Sequence, residues 1–439
     1  MTNENFKQLG LNNTMLHVVD ELYFKEPTNI QVQSIPSILD GKSIIGESQT
    51  GSGKTHAYLL PLLNQIDESL EEVQIVITAP TRELSMQIFE EIKTITEIAQ
   101  KEQVWITRLI VGGLDRQRMI KQLERKPHIV VGTPGRILDM VNEGVLSIYS
   151  ATSFVIDEAD LMLDFRFIDT IDELLVRSKK EVQILVFSAT IPKQLKPFLN
   201  KYLAQPVHIK IQSGLAPEQM EHRLIEIKHQ DVVQKIMDIS EVIQPYVAIL
   251  FTNSKESADE LTNQLQEKGL NVGVLHGGLT SRERKRMVKA ILDLRYQYIV
   301  ATDLASRGID IKGASHVINV ELPKELEFYI HRVGRTARAG LAGTAISFFR
   351  EEDTALIDQL EKKGIHFIFT EVKNGEWVDA KRFNKRELRK NISTKLDQEA
   401  WKRVKKPTKI KPGYKKKMKK QQERIKSRLK RENHSRKRK

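Results

Sequence analysis

The sequence predicts an α/β protein with two tandem, doubly wound, largely parallel-sheet domains followed by a basic, disordered tail. Three observations carry that prediction. Between residues 40 and 210, short apolar runs alternate with amphipathic stretches, and buried strands spaced by helices require the crossovers of a parallel sheet. The alternation pauses at Gln212-Ser213-Gly214-Leu215-Ala216-Pro217 and then resumes, so this Gly/Pro-containing stretch reads as a linker. Beyond about residue 375, periodicity fades into clusters such as Lys415-Lys416-Lys417 and Arg436-Lys437-Arg438-Lys439, a composition that cannot bury a core. The expected layout is a first domain over 1–211, a linker at 212–219, a second domain over 220–375 and a tail over 376–439.

In the first domain the candidate strands are Ser43–Ile45, Val73–Thr78, Ile106–Val111, His128–Val131, Phe154–Ile156 and Ile184–Phe187. The segments between them read as helices. In Arg82–Ile98, for example, Leu84, Ile88, Ile92 and Ile95 recur on one face. The second domain repeats the design with Ala248–Phe251, Val272–Leu275, Tyr298–Ala301, Val317–Val320 and Ala345–Phe349. In such sheets functional residues gather beyond the carboxyl ends of the strands.

Composition narrows the class. The 439 residues suffice for two or three folding units. The apolar runs are too short to cross a bilayer, and Met1-Thr2-Asn3-Glu4-Asn5 lacks the cationic and apolar regions of a signal peptide. Absence of cysteine excludes disulfides, thiolate metal sites and a cysteine nucleophile. The expectation is a cytoplasmic protein without membrane contact. The net charge of +13 conceals an asymmetry, because residues 379–439 hold 27 Lys or Arg against 6 Asp or Glu, leaving the remainder mildly acidic. That imbalance points to a polyanionic partner. A protein-docking or targeting segment and a solubilising extension are the other readings of the tail.

Two motifs carry the chemistry. Ser48-Gln49-Thr50-Gly51-Ser52-Gly53-Lys54-Thr55 matches a phosphate loop except that Ser48 stands at the first glycine. Gly51 and Gly53 let backbone N–H groups turn inward, Lys54 can reach the β- and γ-phosphates, and the Thr55 hydroxyl can bind magnesium. Asp157-Glu158-Ala159-Asp160 follows another candidate strand. There Asp157 can hold Mg2+, directly or through water, and Glu158 can orient and deprotonate the attacking water. Alone, the quartet would read as a solvated helix start. Paired with the loop it implies a nucleoside triphosphatase.

With these residues in order, the chain resembles the DEAD-box ATP-dependent RNA helicases over roughly residues 6–350. The resemblance implies two RecA-like domains, ATP and Mg2+ as ligands, and RNA as partner. Phe24, Pro27-Thr28 and Gln31 resemble the adenine-reading motif, with Tyr23 and Asn29 where Gly and Pro are usual. Phe6 resembles an upstream stacking aromatic, a plain core phenylalanine being the other reading. Pro80-Thr81-Arg82-Glu83-Leu84, Gly112-Gly113 and Thr133-Pro134-Gly135-Arg136 resemble RNA-facing loops. Ser188-Ala189-Thr190 resembles the motif that couples hydrolysis to strand separation through Asp160. In the second domain, Ala301-Thr302-Asp303 and Arg307-Gly308-Ile309-Asp310 resemble a motif touching RNA and, through Asp310, the ATP ribose. His331-Arg332-Val333-Gly334-Arg335-Thr336-Ala337-Arg338 resembles a motif that makes His331, Arg335 and Arg338 catalytic candidates, the two arginines as fingers on the triphosphate. Gly278, Ser281 and Ala337 depart from the usual Asp, Gln and Gly.

The implied activity is local unwinding of short RNA duplexes, with ATP closing the two domains on one strand and hydrolysis resetting them. The alternative is an ATP-gated clamp that scaffolds ribonucleoprotein assembly. The compact core with a short basic tail is similar to bacterial cold-shock or ribosome-assembly members. Structured RNA, ribosomal precursors or an RNA-decay assembly are the candidate partners, and the core is expected to be monomeric.

Overall fold

The apolar runs of the first half become a seven-stranded sheet: β1 (Ile44–Glu47), β2 (Ile75–Thr78), β3 (Thr107–Ile110), β4 (Ile129–Gly132), β5 (Ser153–Asp157), β6 (Gln183–Ser188) and β7 (Val207–Lys210). The computed structural model describes residues 2–49, 51–113, 115–211, 220–227, 231–303, 314–336 and 343–380, with isolated positions beyond. The strand order is β3-β4-β2-β5-β6-β1-β7, with parallel pairing throughout. Alternate residues of each strand serve opposite faces. Ile44, Val155, Leu185 and Phe187 enter one apolar cluster, while Ile45, Phe154, Ile156, Ile184 and Val186 enter the other. Both faces are covered, as an all-parallel sheet demands. Phe6 is 0% exposed within the first cluster, so it is a core residue and the stacking reading is set aside.

Register places the chemistry. Glu47 at the end of β1 lies opposite Ser188 at the end of β6, and Asp157 at the end of β5 lies opposite Phe187. The phosphate loop, the acidic quartet and Ser188-Ala189-Thr190 therefore leave the sheet at the carboxyl ends of its strands and at nearly one level.

The second half forms an eight-stranded sheet from β8 (Met220–Glu226), β9 (Val247–Thr252), β10 (Val272–Leu275), β11 (Tyr298–Thr302), β12 (Ala314–Asn319), β13 (Gly343–Phe349), β14 (Phe367–Lys373) and β15 (Glu376–Asp379). Its order is β10-β11-β9-β12-β13-β8-β14-β15. The expected domain end at residue 375 is corrected. Asn374 and Gly375, at φ 52 and 76, join β14 to β15 as a two-residue hairpin turn, and the compact unit runs to Val378. Apolar periodicity fades there because the hairpin is a polar sheet edge (Glu371, Lys373, Glu376, Asp379) whose backbone pairing continues. Strands β7 and β8 had likewise escaped the apolar pattern, their polar positions alternating with buried ones at or near sheet margins. The linker at 212–219 and nearly all of the tail, with its expected disorder, lie outside the described residues.

Candidate active site

The phosphate loop is tied to the sheet before it turns. Ser48 N donates to Ser188 O at 3.0 Å, the Ser48 and Ser52 hydroxyls pair at 2.7 Å, and Ser52 Oγ donates to Gln49 O at 2.7 Å. Gly51 and Gly53 take φ of 82 and 91. A Cβ on Gly53 would also come within 2.8 Å of Gln31 Nε2 and 3.0 Å of Thr28 Oγ1, so glycine is required there twice over. Gly53 caps the helix Lys54–Asn64, and the leading N–H groups of a helix favour a neighbouring anion. Buried Lys54 donates from Nζ to Ser48 O at 2.9 Å, and Nζ lies 3.7 Å from Glu158 Oε1.

Thr28 and Gln31 form a capping box at the helix Asn29–Leu39, Thr28 N donating to Gln31 Oε1 at 2.9 Å. Gln31 Nε2 donates to Gly53 O at 3.3 Å, which sets the adenine-motif glutamine against the phosphate loop. The ring of Phe24 meets His56 edge-on, with centroids 4.8 Å apart.

At the end of β5, Glu158 takes φ 50 and ψ 56 as it starts the helix Ala159–Asp164. A glutamate in the left-handed region is strained, and such strain concentrates at functional sites. Asp157 is 3% exposed and accepts Glu158 N at 2.9 Å on Oδ1 and the Tyr58 hydroxyl at 3.0 Å on Oδ2. Burial, and next the Glu158 carboxylate beside it, push its carboxyl up to about 7, while Lys54 opposes them. Glu158 Oε2 and Gln49 Nε2 are buried without a hydrogen-bond partner. A crowded acid pair with an orphaned oxygen is the setting that a divalent cation with its water and phosphate ligands would relieve. The Asp157 carboxylate and the Thr55 hydroxyl are hard oxygen donors of the kind Mg2+ takes, with phosphate and water completing its shell.

Asp160 joins this site to its neighbours. Its backbone N–H donates to Ser188 Oγ at 3.0 Å, and its Oδ2 accepts Thr190 N at 3.1 Å and Thr190 Oγ1 at 3.0 Å. His331 Nε2, from the helix Leu326–Val333 of the second sheet, lies 3.3 Å from the same oxygen. Burial alone would raise the Asp160 carboxyl, but His331, with Lys54 and Thr190, holds it well below the usual carboxylate range.

The other expected residues sit elsewhere on the same strand ends. Thr81, after β2 and Pro80, caps the helix Arg82–Ile98 by accepting Leu84 N at 3.2 Å. Gly112 lies under the Arg82 guanidinium, where a Cβ would come within 2.8 Å of Nη2, and Gly113 takes φ 84. Thr133 and Pro134 start the helix Pro134–Asn142. Within it Gly135 faces open space, and Arg136 pairs with Asp139 at 3.0 Å. Thr302 ends β11. Arg335, 7% exposed, follows the His331 helix and donates its N–H to Arg332 O at 3.1 Å. Thr50, Arg307, Asp310 and Arg338 lie outside the described residues. Gly278 has a packing reason for lacking a side chain, since a Cβ would meet His276 Nδ1 at 3.0 Å and Lys255 Cδ at 3.2 Å.

Three contacts were not foreseen. Tyr58 reaches Asp157; its signal was a polar-tipped residue one turn after Lys54 within an apolar run. Arg332, 1% exposed, anchors the second sheet rather than facing solvent. Arg284 forms an ion pair with Glu83, joining the two α/β halves. No local pattern announces that last pair, because its partners are 201 residues apart.

Residues 28–198 match the DEAD/DEAH box helicase family, and residues 228–340 match the helicase conserved C-terminal domain. The Bacillus subtilis protein named DEAD-box ATP-dependent RNA helicase CshB is 49% identical over 440 residues, covering 100% of both chains. A Bacillus cereus protein of the same name is 48% identical, covering 97% of this chain and 98% of the relative. Among solved structures, S. cerevisiae Dbp5 bound to RNA and ADP BeF3 is similar at a TM-score of 0.75 and 27% identity, covering 83% of this chain and 95% of that one. Mss116p bound to ssRNA and AMP-PNP is similar at a TM-score of 0.74 and 25% identity, covering 92% and 84%.

Proposed function

The chain belongs to the DEAD-box ATP-dependent RNA helicases, and from that premise we propose that it unwinds short RNA duplexes by closing its two α/β domains on one strand. The observation that carries this reading is the His331–Asp160 contact of 3.3 Å. It ties a helix of the second domain to the acidic quartet, whose Glu158 lies 3.7 Å from Lys54. Groups on separate domains that act on one phosphate site make turnover conditional on closure. If RNA and ATP both favour the closed form, each tightens the other by the same factor.

In this reading Lys54 and the N–H groups after Gly51 and Gly53 bind phosphate. Asp157 and Thr55 would hold Mg2+, which when bound supplies neutralisation of charge between the phosphates. Glu158, with its unpaired Oε2, orients the attacking water and takes its proton. Arg335 and Arg338 add positive charge to the triphosphate. Thr190 and Ser188 relay the state of the quartet through Asp160 towards the RNA-facing residues Thr81, Arg82, Gly112, Gly113, Thr133, Gly135, Arg136, Thr302 and Arg307. The ribose is assigned to Asp310.

Dbp5 and Mss116p hold RNA in their solved complexes, which supports RNA as the partner. The basic tail supports binding through phosphate charge, without strong sequence preference. We assign structured RNA, ribosomal precursors among it, as the substrate class and the cytoplasm as the place. No helix among the described residues is long and apolar enough to cross a membrane.

The test compares RNA-stimulated ATP hydrolysis and duplex unwinding for the parent and Glu158→Gln. Loss of the base is expected to slow hydrolysis by about 10²–10⁴-fold and to stop multiple-turnover unwinding. Undiminished hydrolysis would remove Glu158 from its role. Hydrolysis without strand separation in the parent would favour the clamp.

A further inference from the structure

We propose that Tyr58 is a positioning residue of the divalent-cation site, holding the Asp157 carboxylate in one fixed orientation from within the core. The proposal rests on the nucleotide-site reading above and adds a residue to it. Tyr58 lies on the helix Lys54–Asn64, one turn after Lys54 and Thr55, and is 0% exposed. Its hydroxyl donates to Asp157 Oδ2 at 3.0 Å, while Asp157 Oδ1 accepts Glu158 N at 2.9 Å. Two donors, one on each oxygen, set the plane of the carboxylate. Each oxygen has two lone-pair positions, so each keeps one for a further ligand. Thr55 is three residues before Tyr58, on the same face of that helix. One buried oxygen thus orients Asp157 from the helix that also carries Thr55.

Packing does not account for that oxygen. The ring lies 5.2 Å from Phe187 in the apolar cluster, a place that phenylalanine would fill equally well. Burying a hydroxyl there is unfavourable unless it finds a partner. What the hydroxyl adds over a phenyl ring is the orientation of Asp157. Outer partners of this kind fix the geometry of metal ligands and tune metal affinity.

Tyr58→Phe removes only the oxygen. Binding of a fluorescent methylanthraniloyl-ATP to the full-length protein is titrated in Mg2+ and again in EDTA, for the parent, Tyr58→Phe and Lys54→Ala. Tyr58→Phe is expected to weaken Mg2+-supported binding about tenfold and to raise the Mg2+ concentration at half-saturation similarly. Affinity in EDTA should stay at the parent's value. Equal loss in Mg2+ and EDTA, no loss in either, or a lowered melting temperature with unaltered Mg2+ dependence would each overturn the proposal. Lys54→Ala reports on the underlying reading separately. Undiminished nucleotide binding in that variant would remove the site itself, whereas loss there with no Mg2+-specific effect of Tyr58→Phe would remove only the role of Tyr58.

Discussion

Arg332 in the second α/β domain and Asp157 in the first are about equally deep, yet the polar atoms around them are served very differently. The guanidinium, 1% exposed, donates to both oxygens of Asp303 at 2.5 and 2.7 Å, to Asn319 Oδ1 at 3.2 Å, to Glu321 O at 2.6 Å and to Asn253 Oδ1 at 2.8 Å. It also lies over the Phe251 ring, 5.0 Å from the centroid. All five of its N–H groups are engaged. Asp157 and Glu158 instead place two carboxylates side by side, one with its proton affinity raised by burial and the other with an orphaned oxygen and a left-handed backbone. A saturated buried charge network holds a fold together, whereas an unsaturated and strained one waits for a ligand. Arg332 therefore serves as the foundation from which the neighbouring His331 and Arg335 are presented.

The largest effect is expected where the saturated network is broken. Arg332→Ala leaves Asp303 and its neighbours without their cation and should destabilise the second domain by about 3–5 kcal/mol, read as a lowered urea midpoint. A loss below about 1 kcal/mol, the range of ordinary surface changes, would break the contrast. Asp160→Asn comes next, because Asp160 is where the two regions meet. Its depressed carboxyl stabilises the fold above the ordinary carboxylate pKa, and that contribution is lost as pH falls through the depressed value. The variant should be about 1–3 kcal/mol less stable at neutral pH, and the gap to the parent should narrow in acid below about pH 4. A pH-independent gap would remove the Asp160 carboxylate charge as its cause.

A smaller effect is expected at Glu83 and Arg284, whose side chains are 15% and 19% exposed. A double-mutant cycle with Glu83→Gln and Arg284→Gln should return a coupling of about 1 kcal/mol; zero coupling would shift the joining of the two halves onto the His331–Asp160 contact. The smallest effect on stability belongs to Glu158→Gln, which removes a like charge beside Asp157. It should melt no earlier than the parent, and marked destabilisation would place Glu158 in the foundation with Arg332.

The strands that bury both faces, such as β2 and β5, were legible because continuous apolar runs leave no other place for them, and Arg82–Ile98 was legible from its period. The hairpin β14–β15 was not, since an edge takes its order from backbone pairing that polar side chains do not announce. The phosphate loop and the acidic quartet could be read because spacing within a turn is local and glycine, lysine and carboxylate have few substitutes in it. Phe6 could be read two ways, and only packing chose the core.

The sequence by itself determined the fold class, the reaction class and the local form of the phosphate loop and the acidic quartet, because each depends on short segments whose geometry their own residues impose. Only the tertiary structure decided that His331 meets Asp160, that Arg332 is a buried anchor, that Arg284 finds Glu83 and that Tyr58 supports Asp157. Those contacts join segments tens to hundreds of residues apart, and which buried charge is satisfied depends on every neighbour that folding brings to it.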